Sequence, residues 1–203
     1  MKKIIGFIAI IVIITIAYNI INSGSTQTES VEDIASYKTQ IQGIRNDKDQ
    51  YLKTDKESPI ENKNAFRQLP YFAIDPTWRV TATIDKLKSG QKIEIQMTGG
   101  ETEAYEPYGN ATFEIGGKKY ALKLFINAEG LLFLPFKDLT SGKETYGAGR
   151  YLDLDPQNIK GSQLVIDFNL AYHPYCTYNH TFTCPIPPAE NFLPIAIKAG
   201  ERL

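Results

Sequence analysis

ATFEIGGKKYALKLFI, residues 111–126, decides the fold class. Each flank alternates apolar with polar side chains, the two-residue period of a half-buried strand. Between them Gly116-Gly117 supplies the two positive-φ positions of a type I′ turn, whose twist matches that of the strands it joins. The stretch therefore reads as an antiparallel hairpin. Outward from it, VTATI (80–84) and IEIQM (93–97) alternate in the same way and are rich in β-branched residues. Leu131–Phe136, Gln163–Phe168 and Phe192–Ile197 supply further strands, separated by Gly and Pro turns. After residue 60 no apolar period of 3.6 persists over ten positions. The expected fold is mainly β: a single antiparallel β-sandwich or barrel-like domain with one core.

Upstream the pattern changes. Ile34, Tyr37, Ile41, Ile44 and Tyr51 recur at spacings of three and four, with Ser30 and Asp33 placed as a helix start. They predict one amphipathic helix over 31–54, weakened by Gly43 and interrupted by Lys48, with one face buried on the β domain. A coiled coil is the alternative, although the heptad runs for fewer than three repeats. Residues 23–29 read as a polar linker.

The first residues set the compartment. MKK precedes IIGFIAIIVIITIAYNII (4–21), which carries no charge. A helix of that length rises about 27 Å, close to the ~30 Å hydrocarbon core of a bilayer. Lysines on its leading side orient the remainder outward. Residues 1–22 are thus expected to be a membrane anchor or a signal segment, and residues 30–203 an extracytoplasmic domain. It would be anchored in the inner membrane, or released to the periplasm if the segment is cleaved. The net charge of −1 and the absence of a basic block argue against a nucleic-acid partner. No phosphate-binding or zinc-protease motif occurs, and no cofactor is implied.

DFNLAYHPYCTYNHTFTCPIPPAEN (167–191) holds both cysteines and both histidines. In an oxidising compartment an even cysteine count points to a disulfide, here Cys176–Cys184. Closing so short a loop would stabilise the fold by about 2–3 kcal/mol. A tetrahedral metal set of His173, Cys176, His180 and Cys184 is the weaker alternative, because its spacings do not form two separated ligand pairs. The second suspicious stretch, residues 133–155, brings Gly147 and Gly149 just before Arg150, whose planar fork suits a carboxylate. Asp153 lies on the opposite face in a straight strand, so Asp167, Glu190 or a ligand anion are the expected partners. A ligand pocket of Arg150, Asp153, Asp167, Asn169, Tyr172, Glu190 and Asn191 follows, with Tyr146 adding stacking surface. A buried Arg–carboxylate pair locking two loops is the alternative reading of the same residues. A hydrolytic site built on Asp153, Asp167 or Glu190 is another.

ETYGAGRYLDL (144–154), DFNLAYHPYC (167–176) and CPIPPAENFLPIAIKAGER (184–202), in that order, resemble DUF1684, a domain of unknown function. SPI (58–60), LPYFAIDPTWRV (69–80) and LFLPFKDLTSGKETY (132–146) are similar to the form found in Bacteroidetes-type bacteria. The resemblance brings no established activity. It places Arg150, Asp153, Asp167–Asn169, both cysteines and Pro187–Asn191 in the family pattern. Relatives commonly read Asn-Pro where this chain has His173-Pro174, so the resemblance implies no general histidine mechanism. The expected function is an exported, membrane-tethered domain binding an envelope ligand. A hydrolase and a structural or protein-binding module remain alternatives.

Overall fold

A computed structural model describes residues 31–88 and 91–203. The apolar segment 4–21, the linker and Ser30 lie outside these residues. Among the described residues no helix is long and apolar enough to cross a membrane.

The hairpin forms as read. Strand β3 (Thr102–Ile115) pairs with β4 (Lys118–Ile126), and Gly116 and Gly117 take φ of 58° and 75° at the turn. Ala111, Phe113, Leu122 and Leu124 point inward while Thr112 and Glu114 face solvent. β1 (Arg79–Lys86), β2 (Ile93–Gln96), β5 (Leu132–Asp138), β6 (Arg150–Leu154), β7 (Gln163–Asp167) and β8 (Phe192–Leu193) complete the set. They form one eight-stranded sheet with the path β6-β5-β4-β3-β1-β7, from which β2 branches at β3 and β8 at β5. All pairings are antiparallel except β5–β8.

The sheet is not a sandwich. It is a single curled sheet, an open half-barrel, and among the described residues its end strands β6 and β7 do not pair. The curl starts in β3, whose first half pairs with β2 and whose second half pairs with β1. Between them the register with β4 shifts at Pro107/Gly109, a bulge that bends and twists its strand. Gly109 is required there, since a Cβ would lie 2.6 Å from the Asp85 carbonyl oxygen. The main core fills the curl with Leu132, Leu134, Phe136, Ile166 and Phe168 among others, while Phe125, Phe133, Tyr151 and the two cysteines form a smaller cluster.

Two elements differ from expectation. β6 begins on a charged residue after a glycine turn, so its alternation of Tyr151 and Leu152 between the two clusters was hidden. The strand expected over 192–197 stops at Leu193, because Pro194 has no N–H for the ladder.

Helix α1 spans Val31–Thr54. Ile41 and Leu52 are fully buried and so, at 5 % exposure, is Arg45. It lies on the domain rather than in a coiled coil. Among the described residues no α1 side chain belongs to either apolar cluster. Much of its attachment is polar.

Candidate functional site

The polar seam under α1 is assembled by the C-terminal segment. Backbone bonds from Phe72 N to Gly200 O (2.9 Å) and Arg202 N to Pro70 O (3.0 Å) lay residues 200–202 beside 70–72. Gly200 has φ of 74° and packs so closely on Ala171 that no side chain fits. This turn drives Glu201 inward to 1 % exposure.

Glu201 is the hub. Its Oε1 lies 2.5 Å from Lys48 Nζ, and its Oε2 accepts from His173 N and from the Tyr178 hydroxyl, both at 2.7 Å. Burial alone would raise its pKa, but Lys48 and His173 more than offset that and hold it below the ordinary carboxylate value. Burial pushes His173 down to about 4, so its ring is neutral at pH 7. Its Nε2 accepts from Tyr146 N at 3.3 Å.

Lys48 also sits over the Tyr172 ring, 4.5 Å from its centroid. The Tyr172 hydroxyl donates to Asp153 Oδ2 at 2.5 Å. Asp153 is half-buried, and burial, with some repulsion from Glu129, raises its carboxyl to about 6 despite the Tyr172 bond. A continuous array therefore runs Asp153–Tyr172–Lys48–Glu201–His173, with partly exposed Asp153 and Lys48 as its outer members. Such a carboxyl can accept from a hydroxyl or ammonium group, and near neutrality it can hold or release a proton.

The seven residues expected to line one pocket take up four separate arrangements. Arg150, 1 % exposed, donates to Asp138 Oδ2 (2.6 Å) and to the carbonyls of Ile197 (2.8 Å), Ala199 and Glu201 (3.2 Å). Its partner is thus Asp138, not Asp167 or Glu190, because β5 and β6 lie side by side and set Phe136 opposite Arg150. Asp138, expected only as a turn residue, also caps Thr140. Asp167 accepts from Tyr37 of α1 (2.9 Å) and from Asn169 N (3.0 Å). Asn169 donates to Tyr37 and the Asp75 carbonyl, and Arg45 donates to the Asn169 carbonyl. Asn191 is fully buried and bonds Lys123 N, Lys123 O and Pro135 O, while exposed Glu190 pairs with Lys123 at 2.6 Å. Only Asp153 and Tyr172 of the seven share the array around Lys48.

The alternative metal set does not assemble. His173 faces Glu201 and Tyr146, His180 is exposed, and among the described residues no group of three or more His, Cys, Asp or Glu could hold an ion. The expected Cys176–Cys184 bond is also not formed. Both are free, buried thiols. They are close neighbours, with Cys176 N donating to Cys184 Sγ at 3.3 Å, and the Cys184 thiol stabilises a Cys176 thiolate and lowers its pKa.

Sequence reasoning missed Lys48, Arg45, Asp138 and Glu201. One signal was available for Lys48: a lysine interrupting an apolar stripe must find a buried anion or distort the helix. The others depend on pairings between distant segments.

The chain matches the family described as protein of unknown function (DUF1684) over residues 64–202. It is similar to an uncharacterized protein of Haloarcula marismortui whose structure was solved in solution by NMR. The two share 35% identity and superpose with a TM-score of 0.67, covering 86% of this chain and 98% of the other. Among curated proteins nothing matches.

Proposed function

The chain belongs to the DUF1684 family, and on that footing we propose that it is an exported, membrane-tethered domain that binds a small polar ligand of the cell envelope. The ligand site is the surface where Asp153, Tyr172 and Lys48 meet. One observation carries this reading: a carboxyl that solvent reaches, poised near 6, stands beside an aromatic ring and an ammonium group. Most polar groups elsewhere in the seam are held by protein partners. The ligand class is a molecule bearing a hydroxyl or amine for Asp153, with a ring or chain to lie on Tyr172.

Export rests on the lysines before residues 4–21 and on the even cysteine count. In that compartment the adjacent Cys176 and Cys184 close to a disulfide by exchange with an envelope disulfide carrier, which takes up the two electrons and two protons. Protein recovered from its host without reductant then has a mass two hydrogens below the dithiol form. Recovery of two free thiols overturns export together with the bond.

Binding is tested by thermal-shift titration of the purified protein with sugars, amino acids, polyamines and short peptides. A ligand of this site stabilises wild type and loses most of its effect with Asp153→Asn. Equal stabilisation of both proteins, or no response to any of the four classes, refutes the site. A hydrolytic reading is favoured by the same raised carboxyl, which suits a general acid. It predicts turnover of envelope esters or glycans that Asp153→Asn abolishes.

A further inference from the structure

A partly open cavity of about 30 Å³ lies beneath α1, lined among others by Ile44, Arg45, Lys48, Tyr71, Ala171 and Glu201. Two of its lining residues offer buried polar atoms to it: Arg45 Nε, a donor with no hydrogen-bond partner, and Glu201 Oε1, an acceptor. The guanidinium of Arg45 is otherwise engaged, with Nη1 on the Phe72 carbonyl (2.9 Å) and Nη2 on the Asn169 carbonyl (3.2 Å). Glu201 Oε1 is paired with Lys48 at 2.5 Å, which occupies one of its two lone pairs and leaves the other open. Buried groups of this kind are rarely left unmet in native proteins.

We infer that this cavity is a binding site for one internal water, which accepts from Arg45 Nε and donates to Glu201 Oε1. Size and chemistry select that guest. The volume admits a water, which needs about 10–15 Å³ of such space, and is far below the size of an organic ligand site, while an internal water needs two or more polar partners. An anion would meet the Glu201 carboxylate, and a cation would meet Arg45 and Lys48. An apolar guest would leave Arg45 Nε unmet. A neutral dipole satisfies one atom at each end. The water then joins α1 to the C-terminal segment, so the helix is mounted through solvent as well as through side chains.

The test is water-detected NMR on the full protein, reading cross-relaxation between water and Arg45 Hε, with the ratio of laboratory- to rotating-frame transfer separating a bound water from proton exchange. The expected result is a bound-water signal at Arg45 Hε in wild type. Ala171→Val fills the cavity from the sheet side, and Ile44→Phe fills it from the helix if the first variant does not fold. The signal should vanish in the folded variant, and its Tm should fall by about 2–4 °C as Arg45 Nε loses its partner. Absence of the signal from wild type overturns the proposal. So does a signal that persists in a filled variant, or a filled variant that melts above wild type, as a dry cavity would give.

Discussion

His173 and Asp153 stand at opposite ends of one array and should drive stability in opposite directions with pH. His173 is buried and titrates near 4 in the fold, against 6.5 in an unfolded chain. Between those values the unfolded state takes up a proton that the folded state refuses, so this residue makes stability fall as pH falls. Asp153 titrates near 6 in the fold against 3.8 unfolded. Here the folded state keeps a proton that the unfolded state releases, so stability rises as pH falls from about 6 to 4. At ~1.4 kcal/mol per pH unit, His173 contributes about 3 kcal/mol across its window. Asp153 contributes about 2 kcal/mol, because solvent partly screens its carboxyl. The two largely cancel between pH 4 and 6 in wild type. Replacing either one unmasks the other. Relative to wild type, His173→Asn should gain about 2 kcal/mol as pH is lowered from 6 to 4. Asp153→Asn should lose about 2 kcal/mol over the same range. Urea unfolding at half-unit pH intervals, read as differences from wild type, cancels the background from other carboxylates. Three parallel profiles would refute the burial argument for the whole array.

Arg150→Met strands Asp138 as an uncompensated buried charge and leaves three buried carbonyls unmet, and should cost about 3–5 kcal/mol in urea unfolding, whereas Arg150→Met/Asp138→Leu recovers only the part due to the charge. A single-variant loss under about 1 kcal/mol would show that Arg150 does not hold β5 to the C-terminal segment. Asn191→Ala removes three buried hydrogen bonds that tie residues 189–191 to β4 and β5. A loss of about 2–3 kcal/mol is expected, and hydrogen exchange at Lys123 N should rise with it.

Local chemistry was legible in the chain and long-range pairing was not. Gly116-Gly117 announced its hairpin because a type I′ turn is encoded in two adjacent residues. α1 announced itself by spacing alone. β6 did not, since Arg150 begins it and the sequence cannot show that a guanidinium will be buried beneath a carboxylate twelve residues away. The gathering of Arg150, Asp167, Glu190 and Asn191 into one pocket assumed that polar residues at strand ends converge. The curl of the sheet sends them to different rims, and each finds protein partners there. Asp153 and Tyr172, named only for their places near strand ends, do meet, because an antiparallel bridge between Tyr151 and Tyr172 brings their segments together, yet nothing local identified Lys48 as the third member.

Arg150 takes three of its acceptors from the carbonyls of residues 197, 199 and 201. On a ribosome that emits the chain from its N-terminus, the guanidinium is synthesised long before the groups that satisfy it. Until residue 201 has emerged, that guanidinium lacks three of its acceptors, so the final packing around it comes after the strands themselves have been made.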